Sequence, residues 1–417
     1  MRRILPLAAV FALLAHFACA QNEEYIQRKA PDKPVPSEKD VRDAVQQGVK
    51  LLTGNQEQYQ RDPRVGRLGK RLPAWQERER ARLAKGRQAG KGKEWPYEGV
   101  YRVNGIIPPG YRVGGSAIVC EALAEAPGLE NDAARKAAIG RSLTFMVGEL
   151  EKNELLYGEA QSSYDVRVWG QAYALKFFLR AQELKIVPKK LAPRVRRLIP
   201  DLLERLQTGE VRGGGWNYAG RGVSPFMTGA ILITLYDAKA KGRKVDAKMV
   251  AAAIVALKKA RWESNGAFAY SGSARREVAM PGSSARSAVA ELALFRAGES
   301  SVDKLRVAVE GFFQGWNDLL WRKSEEGTHI GKYSIAPYYF MFGHTYAGLA
   351  IEHLPKAERA KFRDQLRQLL WRTRQKNGGW NDRIFPRTES YSTAMALLAL
   401  MAPQLPKVPA YSAGSGN

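Results

Sequence analysis

Cysteine and histidine are scarce in this chain, with two of the first and four of the second among 417 residues. One cysteine, Cys19, lies in an N-terminal leader, so loss of the leader leaves Cys120 alone and excludes an intramolecular disulfide. The histidines beyond the leader are His329, His344 and His353. The last two are not separated by the three or four positions that place two ligands on one helical face. No metal site is therefore expected. The sequence also has no zinc finger, RNP signature or P-loop, so no cofactor is expected and nucleic acid is a poor candidate partner. Long apolar runs are missing too. No segment after the leader reaches the ~18 apolar residues of a membrane helix, which leaves at most a peripheral contact with a membrane. Acidic residues are outnumbered 41 to 66 by lysine and arginine, a formal charge of +25.

The leader itself has a clear layout: Arg2 and Arg3, an apolar run from Ile4 to Phe17, then Ala18, Cys19 and Ala20 ahead of polar Gln21. This reads as a cleaved signal peptide over residues 1–20 and predicts an exported protein, periplasmic or extracellular. His16 and Phe17 argue against acylation of Cys19. The remaining chain stays strongly basic and should attract polyanions. For an exported protein these are anionic envelope polymers, lipid head groups or acidic sugars. Residues 21–37, with Pro31, Pro34 and Pro36, read as a flexible leader, and 404–417 as a disordered tail.

Residues 38–403 repeat themselves. Ser37 with acids in the next turn marks a helix start, and Val41, Val45, Val49 and Leu52 share one face. Six small or polar pairs then each run into an alanine-rich helix: Ser116-Ala117, Gln171-Ala172, Gly229-Ala230, Ser287-Ala288, Thr345-Tyr346 and Thr393-Ala394. Their spacings are 55, 58, 58, 58 and 48 residues. A more charged helix precedes each, at about 41–53, 132–151, 193–208, 246–262, 301–313 and 357–375. Such hairpins bury their apolar faces by stacking side by side or closing into a ring. The expected fold is all-α: an α/α toroid of about six helix-hairpin repeats, an (α/α)6 barrel, with the alanine-rich helices inside. A basic insertion at 61–93 interrupts the first repeat, with twelve lysines and arginines against three acids. It reads as a solvated loop or a polyanion-binding arm.

The turns between outer and inner helices carry a motif. Gln375-Lys376-Asn377-Gly378-Gly379-Trp380 is the clearest copy, Gln207 with Gly213-Gly214-Gly215-Trp216 a looser one, and Asn265-Gly266-Ala267-Phe268 has phenylalanine in the tryptophan position. Gln56 and Trp95 look like a copy split by the insertion. These runs resemble the QW motif of the squalene cyclase and protein prenyltransferase repeat superfamily, the terpenoid cyclase-like toroids. The likeness covers most of residues 41–402 and implies architecture, with Gln207, Trp216, Gln375, Gly379 and Trp380 as structural residues. The family's chemistry does not carry over. Its clustered Asp-x-Asp-Asp acid is absent, leaving Asp165 alone beside Arg167, and Cys120 lacks the Asp-x-Cys setting of a prenyltransferase zinc site.

Aligning the repeats puts Gly115, Gly170, Thr228, Arg286, His344 and Ser392 in one column just before the inner-helix pairs. If the inner helices run the same way, this column rings one mouth of a central cavity, where six helix N-termini add positive potential. Arg167, Trp169, Arg286, Tyr338, Glu389 and Tyr391 are the expected ligand-binding residues, and Asp165, His344 and Tyr339 the candidate catalytic ones. The leading expectation is a toroid that binds an anionic or amphipathic small molecule or envelope polymer in that cavity. The alternatives are a terpenoid cyclase-like enzyme with Asp165 as acid, or a lyase or hydrolase of acidic polysaccharides with His344 or Tyr339 moving protons.

Overall fold

The computed structural model describes residues 33–59, 83, 92–99, 106–157, 166–218, 222–325, 329–383 and 385–412. The leader, nearly all of the basic insertion, Asp165 and residues 413–417 lie outside the described residues. The helices are α1 (Glu38–Gly54), α2 (Pro109–Glu125), α3 (Ala133–Lys152), the short α4 (Glu154–Tyr157), α5 (Arg167–Glu183), α6 (Ala192–Thr208) and α7 (Pro225–Ala240). They continue with α8 (Ala247–Ala260), α9 (Met280–Arg296), α10 (Val302–Gln314), α11 (Trp316–Ser324), α12 (Tyr339–Ile351), α13 (Lys356–Thr373) and α14 (Thr388–Met401). The only strands among the described residues, β1 (Arg261–Trp262) and β2 (Ala267–Phe268), form one antiparallel ribbon.

The helices make an α/α toroid. In the inner ring α2 packs on α5, α5 on α7, α7 on α9, α9 on α12, α12 on α14, and α14 back on α2. The outer helices α1, α3, α6, α8, α10 and α13 each back onto this ring. Composition explains the two layers. The inner helices are buried around nearly their whole circumference, as helices apolar on every side must be. The outer helices bury one stripe, as α6 does with Val195, Leu198, Ile199, Leu202 and Leu206. Helix α1 starts where the sequence indicates, with Ser37 and Asp40 forming a reciprocal capping box. Between α2 and α5 the backbones nearly touch, and a Cβ on Gly170 would lie 2.6 Å from the Gly110 carbonyl oxygen. Cys120 is sealed in this wall, its thiol pushed up to about 12 by burial.

The motif residues close each hairpin by a shared device. Trp95, Trp216 and Trp380 are buried, and their indole N–H groups donate to the Leu52, Leu206 and Leu370 carbonyls at 2.8, 2.7 and 2.8 Å. Those carbonyls belong to the last turns of α1, α6 and α13, which have no partner within the helix. The backbone N–H of each tryptophan donates to a hydroxyl of the next inner helix: Ser116, Thr228 and Thr393 at 2.9, 2.9 and 3.0 Å. Each ring buries ~150–250 Å², which corresponds to ~4–6 kcal/mol at most. Phe268 keeps the backbone bond, to Ser283 at 2.7 Å, but has no indole N–H. Its outer helix runs directly into β1 instead. Gln207 donates to Asp246, the N-cap of α8. Gln375 is exposed, with its backbone N–H bound to the Gly379 carbonyl.

The run after Pro406, expected as a tail, is packed as far as Tyr411. The Tyr411 ring stacks on Tyr236 with centroids 5.0 Å apart, Lys239 lies over it, and its N–H donates to the Arg296 carbonyl. Val408 is buried. This segment covers the toroid end formed by the inner-helix C-termini, where it closes a chamber of about 80 Å³ with Glu121, Lys176, Asp237 and Lys241.

Candidate functional site

Residues from the first turns of the inner helices meet at the opposite end. Tyr111 of α2, Trp169 of α5, Phe226 and Met227 of α7, Phe342 of α12 and Tyr391 of α14 converge there with Tyr97, Val166, Tyr218 and Tyr338. Residues from the last turns line the chamber under the C-terminal segment, so the inner helices run parallel. The first-turn residues form an aromatic basin. Tyr97 lies against Tyr391 with ring centroids 4.1 Å apart, Tyr111 and Trp169 meet edge-on at 5.5 Å, and Phe226 touches Tyr338 at 5.3 Å and Phe342 at 5.4 Å. The Tyr338 hydroxyl bonds those of Tyr218 at 2.6 Å and Tyr270 at 3.0 Å, and the Tyr218 and Tyr270 hydroxyls also touch. Burial drives the Tyr97, Tyr338 and Tyr391 phenols well above their ordinary range, so they act only as neutral hydrogen-bonding groups.

The basin differs from the mouth expected from sequence in two ways. It is nearly filled by its own rings, with a free volume of about 20 Å³, room for roughly one water. Among the described residues its lining also contains no charged side chain. The aligned column explains the second difference, because these positions pack on the outer-to-inner turns or, for Gly170, on the neighbouring inner helix. Thr228 accepts from the Trp216 amide, Ser392 from the Asp382 amide at 2.8 Å, and Gly115 and Gly170 make room for the backbones at Trp95 and Gly110.

The expected site residues divide accordingly. Trp169, Tyr338 and Tyr391 line the basin. Arg286 does not, because its guanidinium donates to the Phe268, Ala269 and Gly282 carbonyls and lies over the Tyr270 and Tyr339 rings. Tyr339 is buried beside it, outside the lining, its phenol raised by desolvation. Glu389 accepts from Asn55 at 3.0 Å and Asn377 at 2.7 Å, tying the last repeat to the first. Arg167 opens α5, partly exposed and outside the lining.

His344, the candidate proton carrier, is fully buried. Its Nε2 accepts from the Trp316 indole at 2.9 Å, and its Nδ1 lies 2.7 Å from the Phe340 carbonyl oxygen, to which it donates. Burial pushes its pKa down to about 4. It serves the fifth repeat as an acceptor for Trp316, the role that helix-end carbonyls play for the other tryptophans. Among the described residues, no group of three His, Cys, Asp or Glu side chains converges as a metal site. None of the described helices is long and apolar enough to cross a membrane.

Sequence reasoning missed Asp382. Its carboxyl is fully buried, and Oδ2 lies 3.4 Å from the Tyr97 hydroxyl while Oδ1 has no partner. Burial pushes its pKa up to about 7 despite nearby Arg383 and Lys323. A signal was present. Tyr97, Tyr218, Tyr270 and Asp382 each stand two residues after Trp95, Trp216, Phe268 and Trp380, and all four reach the basin or a residue that lines it.

No protein-family model matches the chain, and no curated protein does. Among solved structures, the chain is similar to the GH76A α-1,6-mannanase of Salegentibacter sp. HEL1_6 at 10% identity, covering 88% of this chain and 99% of that one with a TM-score of 0.48. It is similar to the type II terpene cyclase MstE of Scytonema at 14% identity, covering 89% and 100% with a TM-score of 0.45. A possible GH105 family member from Klebsiella pneumoniae gives 11% identity, 90% and 95% coverage and a TM-score of 0.43. The closed ring rests on the helix contacts of this chain itself.

Proposed function

We propose that this protein is an exported toroid that binds an amphipathic molecule, with the molecule's apolar part held among the basin aromatics. The observation that carries this reading is the convergence of aromatic side chains from five of the six inner helices on one end of the axis. Ring faces bind flat apolar surface, and the phenol hydroxyls offer hydrogen bonds at its edge. Because the free volume is about 20 Å³, an occupant larger than water parts the contact between Tyr218 and Tyr338 as it enters. Calorimetric titration with n-octyl glucoside below its micelle concentration tests the reading. Saturable binding that weakens at least tenfold in Trp169→Ala and Phe226→Ala supports it, and binding untouched by both variants rules the basin out.

A second reading, acid catalysis on the bound molecule by a terpenoid cyclase-like enzyme, is favoured by one observation. Asp382 is a buried carboxyl with its pKa raised to about 7 beside an aromatic wall, and such walls stabilise cations. Turnover of an isoprenoid that survives Asp382→Asn would dispose of it. The polysaccharide alternative is weakened, since it relied on His344 and Tyr339, which lie outside the basin lining.

A further inference from the structure

The wall behind Tyr97 buries a guanidinium whose N–H groups are left partly unpaired. Arg383 is 5% exposed, and its Nε and Nη1 are buried without a hydrogen-bond partner. Its guanidinium lies 4.7 Å from the Phe385 ring centre. Lys323, near the end of α11, is largely buried and lies 5.7 Å from the Phe340 ring centre. Asp382 interacts electrostatically with both Arg383 and Lys323, and Arg383 with Arg322. Arg322 is already engaged, donating to the Ile335 and Glu325 carbonyls at 2.8 Å each. Asp382 thus faces two cations, Arg383 and Lys323, while Arg322 also has Glu325 beside it, and Asp382 is an incomplete counter-ion because burial favours its neutral form near pH 7. Buried guanidinium N–H groups without acceptors are strongly unfavourable, and native proteins fill such places with a partner.

We infer that Arg383 and Lys323 form the binding site for an oxyanion, the acidic head of the amphipathic molecule whose apolar part occupies the basin. Tyr97 connects the two regions, since its ring lines the basin and its hydroxyl reaches Asp382. The site takes a carboxylate, sulfate or phosphate monoester. The inference rests on the basin reading for the position of the apolar chain, but the anion site stands on Arg383 alone.

Calorimetry on the full chain with three probes separates the two: n-octyl phosphate, n-octyl glucoside and inorganic phosphate. The expected result is that octyl phosphate binds at least tenfold more tightly than octyl glucoside. Arg383→Gln should remove that advantage while leaving octyl glucoside binding unchanged. Lys323→Met, at a less buried position, should weaken octyl phosphate several-fold and serves as the readout if Arg383→Gln fails to fold. If inorganic phosphate binds in an Arg383-dependent way but neither octyl probe gains from its chain, the anion site stands as one for free phosphate and the basin reading fails. Octyl phosphate binding equal to that of octyl glucoside in the wild type, or unchanged by both substitutions, overturns the inference.

Discussion

The two ends of the toroid are built from opposite ends of the same six helices, yet their chemistry is inverted. At the C-terminal end the charges are paired. Lys176 meets Glu121 at 2.7 Å, Arg180 clasps Glu125, and Lys241 bridges Asp237 and Glu183. Cations there complement the helix dipoles, and the chain covers the end with its own segment through Tyr411. At the N-terminal end the lining is aromatic and uncharged, and behind it Arg383 and Asp382 are left with unpartnered atoms. The C-terminal end also keeps unpartnered atoms, Tyr411 Oη and Arg296 Nε, so it differs in its close ion pairs and not in being fully satisfied. At the basin end one guanidinium, that of Arg383, has two such nitrogens beside an aromatic lining, and that is the ground for proposing an occupant there.

The sharpest way to break the comparison is to damage each end alone. Trp380→Ala removes a buried ring and a helix-end hydrogen bond at the basin end, and should cost ~3–5 kcal/mol in urea unfolding. Trp380→Phe, which imitates the fourth repeat, should cost less, about 1–3 kcal/mol, by removing the hydrogen bond and a smaller part of the buried ring. At the other end Lys176→Met strands Glu121, whose pKa burial already raises. The expected loss is about 3 kcal/mol, with octyl glucoside affinity retained. Loss of that affinity would show that the ends are coupled.

A smaller effect is readable in pH. Asp382 has its folded pKa raised to about 7, so the native state holds a proton that the unfolded chain has released. Its contribution is present below the unfolded value near 4 and is lost as pH rises to about 7. The groups around it are Arg383 and Lys323, with Ser392 and the phenols of Tyr97 and Tyr391. His344 and His353, both lowered to about 4 by burial, act with the opposite sign between about 4 and 6.5. The variant difference isolates the carboxyl. Asp382→Asn should gain stability relative to wild type as pH rises from 5 to 8, and a flat difference would mean the carboxyl is not buried as described. The smallest effect belongs to the covering segment, where Tyr411→Ala should cost about 1 kcal/mol and leave the basin unaffected.

The architecture was legible because outer helices alternate in polarity and the Gly-Gly-Trp turns recur, so ranges such as 193–208 fall within a residue of α6. The site was legible only in part. Inner helices buried on every side carry no amphipathic stripe, so periodicity gives no phase, and nothing in α5 distinguishes the direction of Trp169 from that of Gly170. The column chosen for its small and polar residues was real, but its members pack on turns, on a neighbouring helix or on Trp316. His344 looked free because its partner, Trp316, comes from a helix inserted in the fifth repeat. The segment after Pro406 looked unstructured because its anchors, Val408 and Tyr411, hold it to helices distant in sequence.

The most direct test of the central claim is a crystal structure of the full chain grown with n-octyl phosphate. The account predicts an alkyl chain among Tyr97, Trp169, Phe226 and Tyr391 with the phosphate on Arg383 and Lys323. A basin still closed by its own rings, with the ligand elsewhere or absent, would contradict it.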